Sequence, residues 1–156
     1  MSPVDVVKDA LRRIDAVDGE INAFCRVDED GALKAAKESE DRWMKGSPRG
    51  LADGVPLGVK DIIPVKGDVT WRGSKLTPES PPERFDAPAV ARMREHGAVI
   101  IGRTTTPEHG WKGLADSPLT GITRNPWDTS KTPGGSSGGA AAAAALGMAH
   151  LNIGTD

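Results

Sequence analysis

The feature that most constrains this chain is a glycine- and serine-rich segment that runs directly into a run of alanines. Residues 133–139 read Pro-Gly-Gly-Ser-Ser-Gly-Gly, and residues 140–146 are six alanines followed by a leucine. A flexible linker has the first composition, but it does not continue into a strong helix former. The turn at residues 125–127, Asn-Pro-Trp, also gives the segment a rigid entry. We therefore predict a structured loop that feeds a helix over residues 140–146.

Such a loop suits negative charge, because the free backbone N–H groups and the positive dipole end of a helix favour an anion or a developing negative charge. The phosphate-binding form of this arrangement requires a lysine before its final serine or threonine. The segment has no lysine at that place. We therefore do not expect a nucleotide-binding loop.

The first 46 residues are predicted to form two helices with a short strand between them. Ser2 is a good N-cap because a proline follows it, and Gly19 is predicted to end this helix. Residues 21–27 have strand character. A second helix is predicted from Asp28, where acidic residues suit the positive end of the helix dipole, to Gly46.

The middle of the chain, residues 48–85, is rich in glycine and proline and contains one apolar run, residues 55–63. The run is predicted to be a buried strand, but Lys60 and Asp61 interrupt it. Two interpretations are open: the strand end emerges into solvent, or the lysine is held in a dry place. The run by itself favours emergence into solvent.

The following segments predict a mixed α/β fold. A helix is predicted to enter at residues 86–88 and to end at Gly97, and residues 98–101 have the length of a buried parallel strand. Residues 106–108 suggest another short helical piece. A helix that connects to a strand through a short turn is typical of α/β proteins.

Charge and hydropathy exclude several classes of protein. The 20 basic and 22 acidic residues give a formal net charge of −2. The chain therefore lacks the excess of positive charge that a nucleic-acid-binding surface needs. The longest small or apolar run, residues 140–146, is far shorter than the ~20 residues that span a bilayer. The N-terminus lacks the basic and apolar regions of a secretory signal. We therefore expect a cytoplasmic protein with no membrane span.

The less common side chains are expected to be structural. Cys25 has no partner for an intramolecular disulfide, and its neighbour Phe24 predicts a buried thiol in a reducing compartment. The three histidines lack metal-ligand spacing, so no metal site is expected. The tryptophans are predicted to be packing residues; they are Trp43, Trp71, Trp111 and Trp127.

Three segments in order resemble the amidase signature family. They are Gly-Val-Pro-Leu-Gly-Val-Lys-Asp at residues 54–61, Gly-Ile-Thr-Arg-Asn-Pro-Trp at residues 121–127, and residues 133–139, which continue to Gly-Thr-Asp at residues 154–156. That family folds as an α/β/α sandwich around a mixed sheet. The resemblance implies that residues 1–156 are the N-terminal part of one such domain, with residues 1–46 as its helical opening.

The resemblance also implies a Ser-Ser-Lys triad that hydrolyses amides. Lys60 would be the base, because a buried amine loses its charge more easily than an exposed one. Ser136, on a cis peptide bond, would be the bridging serine, since a hydroxyl can both accept and donate a proton. Ser137, Gly134 and Gly135 would support the loop. The family's nucleophilic serine belongs to Gly-Thr-Asp-x-Gly-Gly-Ser, so it is expected four residues after Asp156, in an enzyme of which this chain is an incomplete part.

The function that the resemblance implies is hydrolysis of a small-molecule amide by a hydrolase with no cofactor and no metal, which could also form a homo-oligomer. One alternative is the amidase-like subunit of a tRNA-dependent amidotransferase, which needs partner subunits and is the one case in which nucleic acid is an expected partner. The other alternative is a truncated module that binds without catalysing a reaction. Co-purified partner subunits would indicate the first alternative, and a natural product near 16.4 kDa would indicate the second.

Overall fold

A four-stranded mixed sheet forms the centre of the computed structural model, which describes all residues 1–156. The elements are α1 (Pro3–Ile21), β1 (Phe24–Val27), α2 (Glu29–Met44), β2 (Pro56–Lys60), α3 (Pro88–Glu95), β3 (Val99–Thr104), β4 (Asp116–Ser117), β5 (Gly121–Ile122), α4 (Gly138–Ala145) and β6 (Leu151–Ile153). The strands of the central sheet occur in the order β1-β3-β2-β6; β1 is antiparallel to β3, whereas β3, β2 and β6 are parallel. A separate hairpin pairs β4 with β5.

Apolar side chains pack on both faces of the sheet. Val99 and Ile101 belong to a cluster with α1, α2 and α4, whereas Ile100 belongs to a second cluster with Val90 of α3. Because successive residues of a strand point to opposite faces, three helices cover one face and α3 covers the other. The mixed α/β fold predicted from the sequence is confirmed.

Helix α1 begins as predicted and ends later than predicted. The Ser2 hydroxyl accepts a hydrogen bond from the backbone N–H of Asp5, whose carboxylate accepts one from the backbone N–H of Ser2. The prediction that Gly19 ends the helix is wrong, because the helix continues to the buried Ile21 and ends at Asn22 in the left-handed conformation, with φ of 58°. Strand β1 consequently begins at Phe24 instead of residue 21.

The strand predicted over residues 55–63 is β2, and it does not emerge into solvent. Lys60 and Asp61 are both buried, so the interpretation favoured by the apolar run is wrong. The Asp61 carboxylate forms ion pairs with Arg26 and Arg103, at 3.3 Å and 3.2 Å. These pairs offset part of the cost of burying the charge, although burial still raises the pKa of this carboxyl.

Three short segments differ from prediction in their bounds. Strand β3 continues three residues beyond the predicted 98–101, to Thr104. The helical piece predicted at 106–108 is a 3-10 turn over Glu108–Gly110. The helix predicted over residues 140–146 is α4, which begins two residues earlier.

Three of the four tryptophans are not packing residues. Trp43, Trp111 and Trp127 are 50%, 74% and 84% exposed. The exception is Trp71, which is half-buried and whose ring centroid lies 4.1 Å from the Arg26 guanidinium carbon.

Cys25 is half-buried, and its thiol donates to the carbonyl of Arg103 at 3.4 Å. Burial raises the pKa of this thiol to about 12, which is typical of an unreactive cysteine.

None of the helices combines the length and apolar character needed to cross a bilayer. The histidine, cysteine, aspartate and glutamate side chains form no group that could hold a metal ion.

Candidate active site

The carboxyl ends of the parallel strands carry the candidate site. Lys60 is the last residue of β2, and Thr155 follows the end of β6 by two residues. Since β2 and β6 are parallel, these ends lie at the same edge of the sheet. Ser136 and Ser137 reach this edge from the loop that precedes α4.

The Lys60 amine lies within a group of three hydroxyls. Its Nζ donates to Ser136 Oγ at 2.6 Å, to Ser137 Oγ at 3.0 Å and to Thr155 Oγ1 at 2.7 Å. Lys60 is completely buried and takes part in no ion pair. Burial therefore lowers the pKa of this amine from its ordinary value, because desolvation disfavours the charged form.

The loop before α4 has a backbone that only small residues fit. Gly134 adopts a φ of 84°, and the peptide bond between Gly135 and Ser136 is cis. A Cβ at Gly135 would lie 2.4 Å from the carbonyl oxygen of Leu114. The loop therefore packs directly on the backbone of the segment that contains Leu114.

Helix α4 approaches the sheet just as closely. A Cβ at Gly139 would lie 2.5 Å from the backbone nitrogen of Thr105 and 2.6 Å from the carbonyl oxygen of Ala23. The alanines that follow keep the helix near the sheet, and Ala140, Ala142 and Ala143 are buried. Small residues thus bring the start of α4, and the serines before it, to the end of β2.

Ser137 is tied to the backbone of Thr155. The Ser137 hydroxyl accepts a hydrogen bond from the Thr155 N–H at 3.0 Å and donates one to the Thr155 carbonyl at 3.0 Å. This pair of bonds connects the loop before α4 to the segment after β6.

The end of β2 is held by backbone and side-chain bonds. The Asp61 N–H donates to the carbonyl of Thr104 at 3.0 Å, and the Arg72 N–H donates to the carbonyl of Asp61 at 2.9 Å. The Arg103 guanidinium binds the Asp61 carboxylate from the neighbouring strand. These contacts fix the backbone from which the Lys60 side chain extends.

The structure brings together Lys60, Ser136 and Ser137, which are 76 and 77 residues apart in the chain. Gly134 and Gly135 lie in the same loop and form no hydrogen bond with the lysine. The sequence indicated no role for Thr155, although this residue belongs to the Gly-Thr-Asp motif. The contact joins residues 95 positions apart, so no local pattern could have indicated it.

This arrangement can move a proton between a hydroxyl and an amine. Because burial lowers the pKa of Lys60, a larger fraction of this amine is neutral, and so able to accept a proton, than of an exposed lysine. The Ser136 hydroxyl lies at 2.6 Å from that amine, within the reach that proton transfer requires.

Comparison with known proteins gives a consistent result. The amidase family model matches residues 5–156. The chain is 41% identical over 155 residues to a glutamyl-tRNA(Gln) amidotransferase subunit of Salinispora tropica, and 44% identical over 156 residues to the corresponding protein of Acidothermus cellulolyticus. These matches cover 99% and 100% of the chain, and 31% of each relative.

The fold is similar to that of a solved enzyme. The structure of the native peptide amidase from Stenotrophomonas maltophilia superimposes with a TM-score of 0.92 at 33% identity, over 100% of this chain and 33% of that one. The chain therefore spans about a third of the length of the relatives that it matches.

Proposed function

The chain belongs to the amidase family, and from that membership we propose that the complete protein hydrolyses a carboxylic amide, with Lys60 and Ser136 as its proton path. The observation that carries the proposal is the 2.6 Å contact between Lys60 Nζ and Ser136 Oγ. The amine is buried without an ion pair, which is the environment that a lysine base needs.

The proton route has two steps. The nucleophile, a serine expected four residues after Asp156, gives its hydroxyl proton to Ser136 Oγ as it attacks the amide carbon. Ser136 gives its own proton to Lys60 Nζ, which becomes an ammonium. The reverse transfer delivers a proton to the leaving nitrogen, so the amine departs neutral, the base is restored and the acyl group stays on the nucleophile. Water then gives a proton to the same path as it attacks the acyl group, and the return of that proton to the nucleophile's oxygen releases the carboxylic acid. Ser137, Gly134 and Gly135 hold the loop in which Ser136 makes both contacts.

The proposal is tested by substitutions in the complete protein, assayed on a panel of primary amides and anilides. Lys60→Ala and Ser136→Ala are each expected to lower kcat by roughly 10²- to 10⁴-fold, the range for loss of a general base. Lys60→Arg is expected to be equally inactive, because a guanidinium keeps its proton at usable pH. The exposed Lys75→Ala and Ser80→Ala are matched controls and should retain full activity.

Activity within twofold of the parent in Lys60→Ala or Lys60→Arg would refute the role of the amine. Circular dichroism of each variant distinguishes lost chemistry from lost folding. Little loss of folding is expected for Lys60→Ala, because removing a buried amine also removes its desolvation cost.

The relatives named as glutamyl-tRNA(Gln) amidotransferase subunits support a second candidate function. Their identities of 41% and 44% exceed the 33% to the peptide amidase. In this candidate the same proton path acts within a complex, and the acceptor of the acyl group or nitrogen lies on tRNA or on another protein of the complex.

Purification from the native source separates the two candidates. A free-standing amidase is expected to be isolated alone and to cleave members of the amide panel. Stable partner subunits, together with no cleavage of the panel by the isolated protein, would overturn the hydrolase proposal in favour of the amidotransferase.

A further inference from the structure

The three oxygens around Lys60 match the hydrogen-bonding capacity of an ammonium group. A protonated lysine has three N–H donors and no acceptor. Ser136, Ser137 and Thr155 each place one hydroxyl oxygen between 2.6 Å and 3.0 Å from Nζ. All three donors of the cation therefore have a partner, although the side chain is buried.

The Ser137 hydroxyl can only accept a hydrogen bond from the lysine. Its single hydrogen is donated to the carbonyl of Thr155, and its oxygen also accepts the Thr155 backbone N–H. A hydroxyl has one donor and two acceptor sites, so the contact with Lys60 completes its capacity. Ser137 is therefore unable to give a proton to the amine.

A neutral Lys60 has two N–H donors and one lone pair. Because Ser137 takes one N–H, the lone pair can face either Ser136 or Thr155. Proton transfer from Ser136 requires that the lone pair faces Ser136, which leaves the second N–H for Thr155 Oγ1.

On the basis of the proposed function, we propose that Thr155 is a positioning residue for the reaction. Its hydroxyl accepts the second N–H of neutral Lys60, so that the lone pair is directed at Ser136, and its backbone fixes Ser137 as an acceptor. When the proton from Ser136 reaches Nζ, the amine becomes an ammonium whose three donors meet the same three oxygens. The group of hydroxyls therefore stabilises the charge that develops during the reaction.

The test is kinetic and uses the complete protein. Thr155→Val removes the hydroxyl while it keeps the shape of the side chain, and it is expected to lower kcat by roughly 10- to 100-fold, the range for a misaligned catalytic group. Thr155→Ser keeps a hydroxyl and should restore most of the activity. Thr129→Val is a matched control, because the Thr129 side chain forms no hydrogen bond with the protein.

The pH dependence provides a readout that a merely structural role would not move. Loss of one hydrogen-bond acceptor destabilises the ammonium form of Lys60 more than its neutral form, which favours deprotonation. The acidic limb of the kcat/KM profile of Thr155→Val should therefore move to lower pH. The charged groups on the neighbouring elements are unchanged in the variant. They are Arg26 and Arg103, which both pair with Asp61 and Asp68, the exposed Asp156, and Glu108, His109 and the Lys112–Asp116 ion pair in the loop beside Ser136. Helix α4 and strand β6 carry no charged group.

Each result has a distinct meaning. The inference would be refuted by a Thr155→Val enzyme whose kcat is unchanged, or whose kcat is reduced while the acidic limb of its pH profile stays in place. If Lys60→Ala and Ser136→Ala are inactive at the same time, the proposed function still stands. Full activity in those two variants would refute the proposed function itself. Thr155→Ala serves as a second variant if Thr155→Val does not fold, and it carries the same expectations.

Discussion

A single carboxylate, Asp53, connects α2 to the segment that leads into β2. It accepts hydrogen bonds from the Ser39 hydroxyl at 2.7 Å, from Arg42 at 2.6 Å and 2.9 Å, and from the backbone N–H of Arg49 at 2.7 Å. Burial by itself would raise the pKa of this carboxyl, but the bonds from Arg42, Arg49 and Ser39 outweigh it and lower the pKa to about 2.

We expect Asp53→Asn to lower the free energy of unfolding by about 2–3 kcal/mol at neutral pH, because it removes a buried charge pair and weakens several charge-assisted bonds. The folded pKa lies below the ordinary 3.8, so the carboxylate stabilises the fold above that pH. This contribution is lost as pH falls from 3.8 through about 2. The difference in free energy of unfolding between the parent and Asp53→Asn, measured by urea denaturation, should therefore become smaller over that pH range.

Asp41→Asn is the control for this prediction. Asp41 lies on α2, the helix that Asp53 binds, but it is exposed, and its carboxylate contacts only Lys37, at 3.6 Å. Its substitution should change stability by less than about 0.5 kcal/mol. An equal loss in both variants would show that Asp53 has no special role.

At the scale of elements, α1 contains a glycine that the helix does not need. Gly19 is exposed in the last turn of the helix, and a Cβ at this position would contact nothing within 4 Å. We expect Gly19→Ala to raise the free energy of unfolding by about 0.5–1 kcal/mol, because alanine loses less backbone entropy on entering a helix. Chemical denaturation measures this change.

Gly46, after the end of α2, is the opposite case. It has a φ of 66° and equally open surroundings. Gly46→Ala should therefore destabilise the chain by about 1–2 kcal/mol, since an L side chain is strained in the left-handed region. Stabilisation by both substitutions, or by neither, would contradict this account of the two helix ends.

The two ends of α1 show what could be read from the sequence and what could not. The start was predictable because Ser2 and Asp5 cap each other within one turn. The end was not, because it depends on Asn22, whose side-chain amide donates to the carbonyls of Thr120 and Ile122, 98 and 100 residues away. Local signals identified the element, and a distant contact decided its length.

The same distinction holds for the site. Motif resemblance selected Lys60, Ser136 and Ser137, which the structure brings together. Burial of the lysine could not be read from its apolar run, because the adjacent Asp61 stays in the interior only where Arg26 and Arg103 pair with it from other strands.

At the scale of the whole molecule, the proposed function assigns only the proton path to residues 1–156 and expects the nucleophile after Asp156. We expect a polypeptide limited to residues 1–156 to show no amidase activity above background. Loss of the nucleophile from a hydrolase of this type costs on the order of 10⁶ in rate, and the oxyanion donors add to that loss. Assays with acetamide and an anilide measure this directly.

Hydrolysis by that purified polypeptide, with activity lost in Ser136→Ala, would contradict the prediction and make Ser136 the nucleophile. A Ser80→Ala polypeptide is the control, since this exposed serine lies outside the site. Activity that persists in both variants would indicate a contaminating enzyme.

The wide separation of the site residues has a consequence for synthesis of the chain on the ribosome. Lys60 precedes Ser136 by 76 residues and Thr155 by 95. At about 5–20 residues per second, translation leaves the amine without its first partner for roughly 4 to 15 s. Strand β2 also lacks its neighbour β6 during this interval. The nascent chain therefore carries an open strand edge and an unpartnered lysine, which become covered together when β6 and Thr155 are synthesised.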